Sequence, residues 1–600
     1  MNYSITLYFA DEIVTRPLSE MKLTTEGNVH SYCADIHGAK VTCRIEKRKE
    51  GSMITLSAKS DLPLALRRMD SVVFDTEPSA PTDRILFFGN DMCHCTHRYP
   101  CEIGEGVEYC ADSTGLFPSL DGYGMALAAV APFTNKVGAG VRKDGDRFVF
   151  FAKTEFTEGR MNETELSSES FFLSHSISIQ GLYGIYRSFL PESSFPMPRL
   201  TGWNTWDYYL DRVTPEDIFE NIDALAGMPF ADKLHYIVID DGWQKNWGEW
   251  VENEKFVCGL DTVADKIQKR GFLPGIWAAP LLMKESCEGF ADRQHWFCRD
   301  EKGEWIRDEG NTCVIDLTIP EAHEFILDIY RRLYRQGFRL FKIDYLSPIL
   351  RVKNFYDKNA TPYSALRQLI RDVQAVTGED AVILGCSLPV QCGADIAPAM
   401  RIGVDIHNHF THVKWIAEML SWTWMYNNKT TRIDPDFLIV RGLETANEPL
   451  KWEGEPNYTA PKRACDMTDA ELFRSRWRQG DQFNAIEAET WANLVALAGG
   501  NVFLSDRMAA LNERGISIIQ KAFEAISEEC IPEYLADDER LPSLWKGEDK
   551  LLIVNWRDVP VTKQIDGAWE NTASDKPYRL SKNVLSVDLL PHESILIHFR

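Results

Sequence analysis

The sequence predicts a (β/α)₈ barrel of the TIM type, preceded by an N-terminal β-sandwich and followed by a small antiparallel β-domain. Three observations lead to this fold class. Short alternating runs fill the chain up to a Pro-rich stretch that ends at Arg199. Strand-like and helix-like segments then alternate, and short strands return after Ala536. We place the three domains at residues 1–195, 196–535 and 536–600, since 600 residues exceed one compact unit.

The first domain shows the two-residue period of half-buried strands. Runs such as KVTCRIE, SMITLSA and DRILFFG alternate apolar with polar residues and are bounded by turn residues. The last domain shows the same pattern in LLIVNWRD and SILIHFR. Both domains are therefore predicted to be built from antiparallel β-sheets.

The central domain alternates apolar strands with amphipathic helices, as a parallel barrel requires. Predicted helices include PEDIFENIDALAG, DTVADKIQKRG, PEAHEFILDIYRRLYRQG and YSALRQLIRDVQAVTG, of which the last three end in the glycine that favours a helix C-terminus. Eight segments are predicted to be the barrel strands: LTGWNTW, LHYIVIDDGW, LPGIWAAP, TCVIDLT, FRLFKIDYLS, AVILGCS, MRIGVDIHN and NVFLSDR.

Composition narrows the partners and the location. The 65 Lys and Arg residues against 89 Asp and Glu give a net charge of −24, which repels nucleic acids and anionic membrane surfaces. The N-terminus lacks the basic and apolar regions of an export signal, and no run of apolar residues is long enough to span a membrane. We therefore expect a soluble, cytoplasmic protein, and whether it forms a homo-oligomer is left open.

Carboxylates recur at the predicted strand ends, where barrel enzymes build their active sites. They are Asp240, Asp241, Asp316, Asp344, Asp405 and Asp506. Asp316 fits a helix N-cap or loop anchor best, because a helix start follows it. The adjacent Asp240 and Asp241 would repel each other without a ligand to share, which favours a functional role.

Aromatic residues at the same strand ends indicate a carbohydrate substrate. Trp203, Trp206, Trp243 and Trp277 offer flat apolar faces, and carboxylates accept the protons of sugar hydroxyls. Glycoside cleavage needs two carboxyl groups, one as an acid and one as a nucleophile or base. Lys342 lies two residues before Asp344 on the same face of a strand, so its charge would keep Asp344 ionised. This favours Asp344 as the nucleophile.

Two groups of residues could suggest a metal site, and we favour structural roles for both. Cys93, His94, Cys95, His97, Cys101 and Cys110 carry ligand atoms, but their spacing fits no metal motif. His407, His409 and His412 have only Asp405 as an acidic neighbour in the sequence. We therefore predict no metal and no organic cofactor. A metal-dependent barrel enzyme remains an alternative that full activity in chelator would exclude.

The motifs GWNTWD, VIDDGW, GIWAAP, FKIDYL, ILGCS and MRIGVDI, followed by DPDFLIVRG, resemble the α-galactosidases of glycoside hydrolase family 36 and, more distantly, family 27. The resemblance covers about residues 200–530. It implies a retaining glycosidase that acts on terminal α-galactosyl residues of oligosaccharides, with Asp344 as nucleophile and Asp405 as acid/base. It also implies that Asp240 and Asp241 bind O4 and O6 of the sugar. Lys342 would reach O3 or O4, and Arg401 the O2 side. Trp206 and Trp277 would line the pocket, and Cys386 would close it at C2.

Two departures from the family pattern leave the sugar open. Asp207 replaces an aromatic residue and would add negative charge near the pocket mouth, and SLPVQCGAD replaces a Gly-rich segment. The alternatives are an α-N-acetylgalactosaminidase, a β-L-arabinopyranosidase and a galactosyl transglycosylase. A non-catalytic sugar-binding protein is the alternative from another class, and sugar binding without turnover would identify it.

Overall fold

The structure is a computed structural model that describes residues 3–76, 84–91, 94–98, 105–106, 108–111, 113–117, 124–145, 147–176, 179–308, 311–447, 482–535, 541–567, 569 and 571–599. Cys93 and Cys101 lie outside these residues, so the prediction for the cysteine-rich segment stays a prediction. No helix in the described part of the chain has both the length and the apolar character needed to cross a bilayer.

A ring of short parallel strands forms the centre of the molecule. In chain order the strands are β1 (Thr201–Asn204), β2 (Tyr236–Ile239), β3 (Leu273–Ala278), β4 (Leu340–Ile343), β5 (Val382–Gly385), β6 (Ala399–Arg401), β7 in two segments (Arg432–Asp434 and Phe437–Leu438) and β8 (Val502–Leu504). Neighbours along the chain pair in parallel from β1 to β7, and β8 pairs with both β1 and the second segment of β7. Only Pro435 and Asp436 separate the two segments of β7, so the sheet closes on itself as the predicted barrel.

One predicted barrel strand was wrong. TCVIDLT forms Thr312–Val314, which pairs antiparallel with Leu282–Lys284 and Arg307–Asp308 in a small separate sheet. The ring position is taken by β7, from the DPDFLIVRG segment. Asp316 consequently does not end a barrel strand, and Asp405 follows the sixth strand. Asp316 accepts hydrogen bonds from Thr318 and from the backbone N–H of Tyr356, as a loop anchor does.

Helices cover the outside of the ring and bury their apolar faces against it. The four predicted helices form Pro215–Ala226, Leu260–Lys269, Pro320–Arg335 and Pro362–Thr377. Thr214 and Asp217 cap the first of them reciprocally, which satisfies backbone N–H groups that would otherwise lack partners. The other helices of this region are Trp206–Tyr209, Val390–Gly393, Phe410–Thr423, Ala485–Ala498 and Glu513–Ala525. A short hairpin, Gln244–Asn246 with Glu249–Glu252, follows β2.

Two antiparallel sheets precede the barrel. Among the described residues, one sheet has the order Glu108–Ala111, Lys136–Asp144, Arg147–Glu155, Leu66–Thr76, Tyr3–Phe9 and Ile13–Pro17. The other has the order Lys22–Glu26, Val29–Ile36, Ala39–Lys47, Ser52–Lys59, Phe171–Ser176, Gly124–Ala129, Ser113–Phe117, Arg84–Asp91 and His94–Arg98, with Glu165–Ser167 beside Ser52–Lys59. Their apolar faces share a core that continues into the barrel.

The helix Ile179–Phe189, which joins these sheets to the barrel, was not predicted from the sequence. Its residues Tyr183 and Tyr186 are buried at helical spacing. The hydroxyl of Tyr186 donates to the carbonyl of Ala129 at 2.8 Å, and Arg187 donates to the carbonyls of Met425 and Asn427. The helix therefore contacts both parts of the molecule.

Two small sheets follow the barrel. One contains Ile531–Glu533, Leu544–Lys546, Lys550–Val554 and Ser594–His598, and the other contains Val561–Asp566, Arg579–Ser581 and Val584–Leu589. Side chains such as Leu551, Ile553, Leu585 and Ile597 form a separate apolar cluster between them. This matches the antiparallel architecture predicted for the C-terminal region.

Candidate active site

The carboxyl ends of the barrel strands bring the candidate residues to one face of the ring. Asp240 follows β2 directly, Asp344 follows β4 and Cys386 follows β5, while Lys342, Trp277 and Arg401 lie on β4, β3 and β6. Because neighbouring strands are parallel and in register, residues separated by more than a hundred positions become neighbours. The predicted site residues that lie here are Asp240, Asp241, Trp277, Lys342, Asp344, Cys386, Arg401, Asp405 and Trp206.

A buried ion pair lies at the base of the site. Lys342 Nζ is 2.8 Å from Asp240 Oδ2, with side-chain exposures of 4% and 3%. Asn204 donates a second hydrogen bond to the same oxygen at 2.8 Å. Burial by itself lowers the pKa of Lys342, but Asp240, Cys386 and Asp344 outweigh it and raise the pKa, so the lysine stays charged. Lys342 was predicted to act on Asp344, which lies within its electrostatic range, but its ion pair is with Asp240.

Asp241 has a different environment from its neighbour. Gln244 and the indole N–H of Trp247 donate to its Oδ1. Burial raises the pKa of Asp241 to about 6, against the lowering effect of these two hydrogen bonds. Both of these hydrogen bonds are made to Oδ1, so neither occupies Oδ2. The hairpin after β2 thus orients a carboxylate that titrates near neutral pH.

Asp344 is held by three donors from three different parts of the chain. Trp277 Nε1 donates to Oδ2 at 2.9 Å, while Ser387 Oγ and the backbone N–H of Tyr345 donate to Oδ1 at 2.9 and 2.6 Å. The side chain is only partly buried. Such donors fix the direction of the carboxylate, as an attacking group requires.

Asp405 is held by Arg401 and Trp206. An Arg401 guanidinium nitrogen contacts Oδ1, and Trp206 Nε1 donates to Oδ2 at 3.3 Å. Burial favours a higher pKa for Asp405, but Arg401, Lys342 and these hydrogen bonds outweigh it and lower the pKa. With 25% of its side chain exposed, Asp405 is the more accessible member of the ion pair.

Cys386 links the two carboxylates into one site. The thiol is buried, and it lies within electrostatic range of Asp344, Arg401, Lys342 and Asp405. Burial raises the pKa of this thiol well above its usual value, so it stays protonated. It therefore acts as a small neutral wall of the site.

Asp207 and Asp506 lie in a closed ionic cluster beside the site. Arg441 contacts Asp207 Oδ2 and is 2.9 Å from Asp506 Oδ1, and His407 Nδ1 is 2.8 Å from Asp207 Oδ1. Burial opposes ionisation of Asp207, but Arg441 and His407 outweigh it and lower the pKa of Asp207. The expectation that Asp207 adds negative charge at the pocket mouth was wrong, because a buried cation neutralises it.

The histidines that follow β6, which are His407, His409 and His412, have protein partners. His407 contacts Asp207, and His412 Nδ1 lies 3.0 Å from the backbone carbonyl of Asp405. Among the described residues no group of His, Cys, Asp and Glu side chains has an arrangement that could hold a metal ion. These histidines position the loop that carries Asp405.

Sequence analysis missed several residues that hold the site. Gln244, Trp247 and Ser387 contact the candidate carboxylates, and Asp436 contacts Arg401 at 2.7 Å. Asp436 belongs to DPDFLIVRG, which the sequence analysis recognised as a motif without giving its residues a role. A second acidic residue two positions after Asp434, in an otherwise apolar run, was the available signal.

Fold and site together define a (β/α)₈ barrel with flanking β-sheets and with a cluster of carboxylates at the carboxyl ends of the barrel strands. Solved structures with this fold include the family 36 α-galactosidase AgaA of Geobacillus stearothermophilus, with a TM-score of 0.65 and 11% identity over 100% of this chain and 89% of that chain. They also include an α-galactosidase of Thermus thermophilus in complex with p-nitrophenyl α-D-galactopyranoside, with a TM-score of 0.55 and 17% identity over 86% of this chain and 97% of that chain. The fold is thus that of glycoside hydrolase family 36 α-galactosidases, and the resemblance seen in the motifs is confirmed.

Sequence comparison gives shorter matches to proteins of the same kind. An α-galactosidase of Escherichia coli is 26% identical over 181 residues, which are 28% of this chain and 25% of that protein. α-Galactosidase 1 of Saccharomyces cerevisiae is 25% identical over 114 residues, 18% of this chain and 24% of that protein. The matched stretches thus span about a quarter of these relatives' length. No model of a known protein family matches the chain.

Proposed function

We propose that the protein is a retaining glycoside hydrolase that removes terminal α-galactosyl residues from oligosaccharides. The observation that carries the proposal is the arrangement of Asp344 and Asp405 around Cys386. Asp344 is fixed by three donors, and Asp405 presents a partly exposed carboxylate in the same site. Two carboxyl groups with different environments are what glycoside cleavage requires. The motif resemblance and the relatives named above support galactose as the sugar.

In the first step Asp344 attacks the anomeric carbon while Asp405, in its acid form, gives its proton to the leaving oxygen. The bond from the anomeric carbon to that oxygen breaks, and an ester to Asp344 forms. In the second step Asp405, now ionised, takes a proton from water, whose oxygen attacks the same carbon and releases Asp344. Each step inverts the configuration, so the anomer of the substrate is retained.

Sugar recognition is assigned to the remaining residues of the site. Asp240 and Asp241 accept hydrogen bonds from the O4 and O6 hydroxyls, and Lys342 donates one to O3 or O4. Arg401 and Cys386 face the C2 side, while Trp206 and Trp277 line the pocket. Lys342 and Asp240 hold each other in place at 2.8 Å, so their polar atoms are oriented before the sugar binds.

The test is hydrolysis of aryl α-galactoside by the purified protein, with the matching α-N-acetylgalactosaminide, α-glucoside and β-L-arabinopyranoside, in buffer containing chelator. We expect turnover of the α-galactoside, and NMR of the first product should show α-galactose. First-formed β-galactose would contradict the retaining mechanism. Turnover of another glycoside alone would change the assigned sugar, and transfer products carrying an acceptor sugar would indicate a transglycosylase. Sugar binding without any turnover would contradict the proposal that the protein is an enzyme.

A further inference from the structure

Asp405 must carry a proton in the first step, yet Arg401 favours its ionised form. Arg401 itself is shared between two carboxylates. One terminal nitrogen contacts Asp405, and the other donates to Asp436 Oδ1 at 2.7 Å, while Nε donates to the carbonyl of Gly403 at 2.9 Å. The side chain is 4% exposed, so all three nitrogens are committed within the protein.

Asp436 also holds the backbone beside Asp405. Its Oδ2 accepts from the backbone N–H of Ile406 at 2.6 Å, and its own N–H donates to Asp434 Oδ1 at 2.9 Å. Asp436 has a φ of +78° at the interruption of β7, a conformation that Asp adopts more readily than most residues. The carboxylate is thus fixed at both oxygens and cannot turn away from Arg401.

We propose that Asp436 is a positioning residue that shares Arg401 and a single proton with Asp405, an inference that rests on the proposed function. When Asp436 is ionised it neutralises Arg401, and Asp405 can then hold the proton that it gives to the leaving oxygen. After that transfer both carboxylates are ionised around one guanidinium. The proton taken from water in the second step restores the pair.

The electrostatics of the surrounding groups support a shared proton. Burial raises the pKa of Asp436, and the neighbouring Asp405 and Asp434 add to this effect, against the lowering effects of Arg401 and Lys342. Arg401 lowers the pKa of Asp405. Cys386 also lies within electrostatic range of Arg401 and Asp405, and Asp344 lies within range of Cys386 and Lys342. Lys342 forms its ion pair with Asp240, whereas Asp405 and Asp436 both contact Arg401. Two carboxylates that contact one guanidinium in a buried site share a proton because full ionisation leaves an uncompensated negative charge.

The first test compares Asp436→Asn with wild type and with Asp434→Asn, a matched loss of a buried carboxylate in the same segment. The kcat/KM of an oligosaccharide substrate is measured against pH. In Asp436→Asn the basic limb of the pH profile should shift to lower pH by about 1–3 units, because Arg401 then lowers the pKa of Asp405 alone. At neutral pH the kcat/KM of Asp436→Asn for this substrate should be about 10- to 1,000-fold below that of wild type. Its kcat/KM for an aryl galactoside with an activated leaving group should fall much less.

Asp434→Asn should move the basic limb far less than Asp436→Asn does, since the amide oxygen can still accept from the Asp436 N–H and Arg401 keeps its second carboxylate. A folded, active Asp436→Asn enzyme with the wild-type limb would overturn the shared proton. A wild type without glycosidase activity would instead overturn the proposed function.

A second measurement does not depend on activity or on the folding of Asp436→Asn. Infrared difference spectra between wild type and Asp405→Asn at neutral pH report protonated carboxyl groups. We expect Asp405→Asn to lose one protonated carboxyl band, because Asp436 alone beside Arg401 ionises. An unchanged number of protonated carboxyl groups would overturn the proposal.

Discussion

Two arginines at the carboxyl end of the barrel have the same arrangement and different surroundings. Arg401 lies between Asp405 and Asp436, and Arg441 lies between Asp207 and Asp506. In the second cluster both carboxylates are buried, with side-chain exposures of 5% for Asp207 and 1% for Asp506. In the first cluster the side chain of Asp405 is 25% exposed. The arrangement alone therefore does not mark an active site. A carboxylate becomes available for chemistry when part of its side chain stays exposed, as it does in Asp405.

The largest expected effect separates the site from the closed cluster. Asp344→Ala should lower kcat by about 10⁴-fold or more, because the nucleophile is lost, while the midpoint of thermal unfolding stays near that of wild type. Hydrolysis of aryl α-galactoside and a melting curve on the same sample check both. Residual activity within tenfold of wild type would contradict the assignment of Asp344 as the nucleophile.

Asp405 should show a leaving-group dependence that no residue of the closed cluster shares. In Asp405→Ala, kcat/KM for an oligosaccharide should fall by about 10²–10⁴-fold, since the departing hydroxyl needs a proton. An aryl group with an acidic hydroxyl leaves without one, so its hydrolysis should fall far less. Equal losses on both substrates would contradict the acid assignment.

The closed cluster should respond in stability. Asp207→Ala removes a partner of buried Arg441 and should lower the free energy of unfolding by about 3–5 kcal/mol. Asp211→Ala, an exposed position nearby, is the matched control and should change it by less than about 0.5 kcal/mol. Urea unfolding followed by fluorescence measures both. If Asp207→Ala unfolds like the control, the cluster does not stabilise the protein.

A smaller effect should appear in the pH dependence of sugar binding. An ionised carboxylate accepts hydrogen bonds from hydroxyl groups better than its acid form does. Galactose should therefore bind more tightly as the pH rises through about 6, the pKa of Asp241. The inhibition constant of galactose measured from pH 4 to 8 should fall across this range. In Asp241→Asn this step should disappear, and its persistence would assign the titration to another group.

Trp247→Phe should give the smallest change. The substitution keeps an aromatic ring near Tyr345, whose centroid lies 4.7 Å from that of Trp247, and removes the N–H that donates to Asp241. Since that hydrogen bond lowers the pKa of Asp241, the pH midpoint of galactose binding should move upward. Affinity above the midpoint should change only a few-fold, as for one lost hydrogen bond. A shift of this midpoint to lower pH would contradict the hydrogen bond from Trp247 to Asp241.

Periodicity was enough to predict the barrel, and strand-end residues indicated which carboxylates would lie near one another, whereas Arg401 and Cys386 were named only from the family resemblance. The helices Pro320–Arg335 and Pro362–Thr377 carry strong helical patterns, and the parallel strands bring Asp240 and Asp344 together as barrel geometry requires. TCVIDLT was misassigned because a short apolar run does not reveal whether its partner is a barrel strand or a local hairpin. β7 was missed because Pro435 and Asp436 divide it into segments of three and two residues.

What the sequence could not predict depends on contacts between distant residues. Asp207 looks like an added charge until Arg441, 234 positions later, is placed beside it. Asp436 and Arg401 are 35 positions apart and meet only because β6 and β7 are neighbours in the ring. No local pattern encodes which of two buried carboxylates a distant arginine will neutralise.

The interruption of β7 also links the folding of the barrel to the start of activity. The same two residues that join its segments close the ring and place Asp436 against Arg401 and Ile406. An intermediate with an open sheet would contain both proposed reacting aspartates yet lack the proton shared between Asp405 and Asp436. During refolding, activity should therefore return no earlier than closure of the ring.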